Sequence, residues 1–226
     1  MIDTYPVAGF AEPVSSWTHL GGAGVFLWVS TRVAIRERAS MVRCLALAVF
    51  GVATVLQLAM SGVYHLVDLP GPSRPILQQL DHAAIFVLIA GTLTAIHGIL
   101  FTGAWRRNMI LAAWLMCAVG VSLKTVYFEQ TAEWVGLLSY FCMGFLGLFT
   151  TVKLWSTYGW EFARPLLIGG LVYTVGALVD FLRAPVIIPG VLGPHEILHV
   201  CVLVALTMHW RFLSRAVEVA ETDLES

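Results

Sequence analysis

Charge is what this sequence has least of. Of 226 residues only 12% are Asp, Glu, Lys or Arg, against 58% hydrophobic, and the mean hydropathy is +0.82. Soluble domains carry about 25% charged residues. Polar side chains are therefore too few to coat a water-soluble globule, and lipid is the expected outer solvent. The net charge of −1 supplies no basic field, which excludes nucleic acid as a partner. Cysteine is also scarce. Cys44, Cys117, Cys142 and Cys201 each stand alone in an apolar run with no C-x-x-C pair, so they read as small buried hydrophobes rather than disulfides or thiolate ligands. No Lys or Arg precedes the first apolar stretch: Met1 to Trp17 carries Asp3 and Glu12 instead. That is not the basic start of a cleavable signal peptide, and the first helix is expected to be retained as a span.

What is abundant is long apolar sequence. A spanning helix needs about 20 mostly apolar residues, because only intrahelical hydrogen bonds satisfy a backbone in hydrocarbon. Seven runs qualify, at roughly 17–35, 42–66, 76–101, 107–126, 133–154, 163–182 and 194–214. Their breaks are Arg36-Glu37-Arg38, Pro70-Gly71-Pro72-Ser73-Arg74-Pro75, Gly103 to Arg107, Glu129 to Glu133, Ser156 to Pro165 and Arg183 to Pro194. The expected architecture is all-α, a single seven-helix transmembrane domain over residues 1–226, with successive helices antiparallel. Arg32, Arg36, Arg38, Arg43, Arg106, Arg107, Lys153, Arg164, Arg211 and Arg215 fall on one side; Arg74, Lys124 and Arg183 fall on the other, mixed with Asp68, Glu129 and Glu133. The positive-inside rule then predicts a multi-pass protein of the plasma (inner) membrane with an external N-terminus and a cytoplasmic C-terminus. Gly21, Gly22, Gly144, Gly147, Gly170 and Gly176 are expected to allow close helix packing. Trp17, Trp105, Trp134, Trp155, Trp160 and Trp210 are expected to anchor helix ends at the interface.

Polar residues inside such spans are functional candidates, since lipid makes them costly. Three clusters stand out: Ser61-Gly62-Val63-Tyr64-His65 at the end of helix two, Asp81-His82 early in helix three, and His195-Glu196-Ile197-Leu198-His199 at the start of helix seven. Antiparallel topology puts all three on the N-terminal side of the membrane. His195 and His199 are four apart and share a helical face, as do Ser61 and His65. His65, His195 and His199 can then converge as metal ligands, with a fourth position left for water, which is the plan of a catalytic zinc site. Imidazole ligation without thiolate suits zinc. Gly193 and Pro194 read as a cap and first-turn residue, and the helix dipole there favours neutral His195. Glu196 is read as a first-turn capping partner, His82 as a packing or outer group, and Asp180 as an interfacial ion pair with Arg183. His97 and His209 lie towards the opposite face. His195 to His199 also fits the H-E-x-x-H pattern of zinc proteases, but Ala205 stands where one protease class has its third ligand.

These motifs resemble the haemolysin III family, the bacterial branch of the progestin and adipoQ receptors, over nearly the whole chain. Ser61-x-x-Tyr64-His65 is similar to the family's second-helix motif, Asp81 to Thr92 to its third and His195 to Val200 to its seventh. Thr18-His19 with Gly22 resembles its first, and Tyr173 with Gly176-Ala177 its sixth. The resemblance implies a seven-helix bundle binding zinc through His65, His195 and His199, with Asp81 holding the metal-bound water and Ser61 alongside. It also implies kinship with ceramidases.

The first expectation is a zinc-dependent hydrolase of a lipid amide, with Asp81 and Ser61 as catalytic groups, Zn2+ as cofactor and membrane lipids as partners and substrate source. Two alternatives stand beside it. One is a non-enzymatic receptor or homeostasis protein with structural zinc. The other is the cytolytic activity that the family name implies.

Overall fold

The computed structural model describes residues 11–37, 40–67 and 73–225. Arg38, Asp68 and Pro70-Gly71-Pro72 lie outside them. Within the described residues the chain forms seven α-helices: α1 (Pro13–Arg36), α2 (Met41–Leu66), α3 (Ser73–Leu100), α4 (Gly103–Thr125), α5 (Glu133–Tyr158), α6 (Trp160–Leu182) and α7 (Pro194–Glu225). No strand occurs among them, only an isolated bridge between Ile188 and Leu192. Six of the helices are long and apolar enough to cross a membrane, so the chain is an integral membrane helical bundle. The exception is α1. Its Ser15, Ser16, His19 and Ser30 dilute its apolar character, and all four are buried against neighbouring helices rather than offered to lipid.

Helix order in space follows helix order in sequence, with α7 closing back onto α1 and α3. The most apolar stretch of α3 is 72% buried and that of α6 only 17%, so α3 is the central helix and α6 a lipid-facing one. The core joins Phe26 of α1, Leu47, Phe50 and Leu58 of α2, Ile96 of α3, and Leu206, Trp210 and Leu213 of α7. Trp210 is therefore not an interfacial anchor: it is 4% exposed, with its ring 4.9 Å from that of Phe50. Trp105 is likewise drawn inward, onto Phe101 and Phe149. Trp17, Trp134, Trp155 and Trp160 are exposed as an interfacial role requires.

The break expected over Ser156 to Pro165 is much shorter. Helix α5 runs to Tyr158 and α6 starts at Trp160, leaving Gly159 at φ +86° as the sole interruption. That positive φ is where only glycine turns without strain. Pro165 lies inside α6 near its start, where lost backbone hydrogen bonds are cheapest to replace. Among the cysteines, Cys117 is buried but Cys142 is exposed on α5, so the buried reading fails for that one.

Of the glycines expected to permit close packing, Gly22 meets Leu203 and Leu58, and Gly176 meets Cys201 and Leu198. Gly21, Gly144, Gly147 and Gly170 face open space instead. The tight α2–α3 seam is made by other glycines: a side-chain carbon at Gly91 would stand 2.7 Å from Ala53 Cβ, and one at Gly98 2.6 Å from Ala46 Cβ. Gly91→Val is therefore expected to destabilise the bundle by about 1–3 kcal/mol, the usual cost of overpacking. Gly144→Ala should stay within about 0.5 kcal/mol of the wild type. Unfolding in mixed micelles by increasing SDS measures both.

Candidate metal centre

Three segments meet at the site. Helix α2 ends at His65, α7 begins with Pro194 and His195, and residues 11–12 approach α1 by pairing with the end of α2: Ala11 N donates to Leu66 O at 3.2 Å and Glu12 N to His65 O at 3.1 Å. That pairing sets Glu12 beside His65. Pro13 then starts α1, since a first-turn proline loses no helical hydrogen bond.

His65, His195 and His199 come together as the sequence predicts, and this group could hold a metal ion. The Nε2 atoms of His65 and His195 are 3.1 Å apart, as are those of His195 and His199. On a tetrahedral ion with bonds of about 2.0–2.1 Å, neighbouring nitrogens would stand about 3.4 Å apart. The observed spacing is close to that.

The outer nitrogens give the stronger test of fit. His65 Nδ1 donates to Glu12 Oε2 at 2.6 Å, and His195 Nδ1 donates to Asp180 Oδ1 at 3.0 Å. A carboxylate only accepts, so each Nδ1 carries a proton, and in the neutral ring each Nε2 then presents a lone pair inward. Lone pairs facing at 3.1 Å repel unless a proton or a cation lies between them. Histidine ligands characteristically donate their second N–H to a carboxylate in this way. The third ring, His199, stacks on His19 with centroids 3.9 Å apart, and its carbonyl is 3.4 Å from His19 Nε2.

Glu12 is held in turn by Arg74, whose Nη2 donates to Oε1 at 3.1 Å while Nη1 donates to Val67 O at 2.9 Å. Burial alone would raise the Glu12 carboxyl, but the hydrogen bond from His65 and the charge of Arg74 outweigh it and hold the group below its ordinary range. Asp81 Oδ2 is 3.8 Å from His65 Nε2, beside the cluster rather than bonded to it. Ser61 and Gln57, both buried on the same face of α2, stand near the Asp81 carboxyl. The structure thus brings all five sequence-predicted residues, Ser61, His65, Asp81, His195 and His199, to one place.

Glu196 takes the capping role. Its Oε2 accepts from Gly193 N at 2.8 Å and its Oε1 from Ser15 Oγ at 3.3 Å, so its carboxylate faces the helix start and not the imidazoles. His82 packs against Phe128 at 5.8 Å, as a packing residue should. The sequence reading of Asp180 is corrected. Arg183 caps α6 in the left-handed region, φ 55° and ψ 34°, and its guanidinium reaches Glu133 at 3.5 Å instead. Asp180 is left for His195. Glu12 was missed altogether, because nothing local in a short stretch before the first helix points to a histidine 53 positions on.

A profile of the family described as "Haemolysin-III related" matches residues 9–210, which include every residue of this site. Hemolysin-3 of Bacillus cereus is 29% identical over 133 residues, covering 59% of this chain and 60% of that protein. The Hemolysin-3 homolog of Bacillus subtilis is 27% identical over 130 residues, 58% and 60% of the two chains. The match thus spans about three fifths of the length of these curated relatives. Helical architecture, motif positions and a family match over most of the sequence agree: this multi-pass membrane protein belongs to the haemolysin III family.

Proposed function

We propose that the chain is a zinc-dependent membrane hydrolase acting on an amide or similar bond of a lipid, with the ion held by His65, His195 and His199. The observation that carries the reading is the inward presentation of Nε2 lone pairs at 3.1 Å, with two outer nitrogens committed to Glu12 and Asp180. Three neutral imidazoles leave one tetrahedral position for a reactant, as in catalytic rather than structural sites. Zinc bound there would supply Lewis acidity and lower the pKa of a water to about 7.

The remaining work belongs to the side chains. Among the described residues Asp81 is the carboxylate beside the cluster that is not bonded to an imidazole nitrogen, and its position suits it to orient a water and accept its proton. Ser61, one turn before His65 and buried on the same face of α2, is a hydroxyl donor for a developing oxyanion. Glu12 and Asp180 keep the His65 and His195 rings in the ligating tautomer. Membrane lipids are the substrate source, reached at the N-terminal side of the bundle, which the arginine distribution puts outside the cell.

A second reading rests on the same contacts. The cluster links α2 to α7, and its outer carboxylates add α6 and the segment before α1, so an ion there would also staple four elements in a receptor or homeostasis protein.

Elemental analysis of detergent-purified protein should find about one zinc per chain, lost in both His65→Ala and His195→Ala. A well-folded wild type that stays metal-free after zinc is supplied ends the hydrolase reading. Asp81→Ala separates the two readings: it should keep its zinc and lose at least about 10²-fold in turnover of a lipid amide. Full turnover in that variant would remove Asp81 from the mechanism, and no turnover in wild type, with zinc raising the melting temperature, would favour the staple. Glu12→Gln and Asp180→Asn should each weaken zinc affinity by about 10–100-fold, measured by competition with a chromophoric chelator.

A further inference from the structure

Lys124 is the only Lys or Arg in the buried class among the described residues, at 7% exposure, on the last turn of α4. It lies on the membrane side that carries the metal centre. No carboxylate forms an ion pair with it, and no hydrogen bond satisfies its ammonium, among the described residues. Glu133 is the acid whose charge reaches it, but that side chain is 78% exposed and paired with Arg183 at 3.5 Å. A lysine near a helix end usually snorkels its charge into the headgroup layer. This one does the opposite and tucks it under α5.

The room for it comes from Gly136. A side-chain carbon there would stand 2.4 Å from Lys124 Nζ and 2.6 Å from Cε, so the missing side chain is what admits the ammonium. The ring of Phe128 is 5.8 Å from Nζ, and the same ring packs on His82 at 5.8 Å. His82 Nδ1 is itself buried without a hydrogen-bond partner. Tyr140 fixes this corner by donating to His82 O at 3.1 Å. A buried cation and a buried unpartnered imidazole nitrogen therefore share one aromatic wall between α3, α4 and α5.

A buried lysine side chain whose ammonium has no counter-ion is costly, and an anion reaching that ammonium relieves the cost. The surrounding surface identifies the anion's carrier. Tyr127, in the α4–α5 connection, and Trp134 and Leu138, at the start of α5, are half exposed or more, and α4 and α5 are largely open to lipid. We propose that Lys124, Gly136 and His82 form a binding site for the anionic head, phosphate or carboxylate, of a lipid whose chain runs along α4 and α5. This site requires neither a metal nor turnover at the histidine cluster.

The test titrates the full chain, in a neutral maltoside detergent, with dodecyl phosphate, dodecanoate, inorganic phosphate and dodecanol, following the thermal unfolding midpoint. An anionic amphiphile should raise the midpoint, while inorganic phosphate and dodecanol should not. Lys124→Met should weaken that binding by about tenfold or more, the loss expected for a hydrogen bond to a charged group. Gly136→Ala, which retains the lysine but displaces its ammonium, should do the same and covers the case in which Lys124→Met fails to fold. Both variants should retain the zinc content of the wild type, so that loss here is separable from loss of the metal. An equal response to dodecanol, or unchanged affinity in a folded Lys124→Met or Gly136→Ala protein, would overturn the site. An equal response to inorganic phosphate would overturn its assignment to a lipid.

Discussion

Two hydrogen bonds decide what the histidine cluster can be: His65 Nδ1 to Glu12 and His195 Nδ1 to Asp180. In water, either imidazole nitrogen can carry the proton and solvent accommodates the choice. Within a membrane bundle there is little water to do so, and a carboxylate must fix the tautomer. Neither carboxylate comes from the helix of the histidine it serves. Glu12 is placed by two backbone hydrogen bonds to the end of α2, and Asp180 by the short connection that returns the chain from α6 into α7. The centre is consequently a property of the packed bundle. No single helix carries it.

The same constraint explains the least apolar helix. Ser15, Ser16 and His19 make α1 a poor span by composition, yet all three are buried, and two of them meet α7: Ser15 bonds Glu196 and His19 packs on the ring of His199. Glu196 in turn caps α7 through Gly193 N and so holds His195 in the first turn. Polar residues that would weaken α1 in isolation are the ones that position α7. Stability of the span and geometry of the site are therefore set against each other in α1, and packing settles the balance.

Much of this was legible in the sequence. Apolar run length located all seven helices, because hydrocarbon leaves a backbone no alternative to helix. Four-residue spacing and antiparallel topology brought His65, His195 and His199 together with Asp81 and Ser61, since both rules operate over one helix or one turn. What escaped was contact between segments distant in sequence. Asp180 looked paired with Arg183, three positions away, until the left-handed conformation of Arg183 sent that guanidinium to Glu133. Trp210 looked interfacial from its place near a helix end, but α7 continues to Glu225 and leaves the indole in the core. Gly22 and Gly176 pack closely as expected, but Gly21, Gly144, Gly147 and Gly170 do not, because composition does not say which face of a helix meets another helix.

The bundle also contains its own comparison. His97 and His209 are as buried as His65 and His199, and both lie towards the opposite half. His97 meets the Thr150 hydroxyl at 3.0 Å, and His209 packs against Tyr173 at 5.5 Å with neither ring nitrogen in a well-aligned hydrogen bond. Neither has a carboxylate on Nδ1 nor a second imidazole facing it. Buried histidine by itself therefore marks nothing in this fold. What singles out the other end is the combination of converging Nε2 atoms with outer nitrogens bonded to Glu12 and Asp180, an arrangement that packing alone does not require and that commonly accompanies histidines able to hold a metal ion.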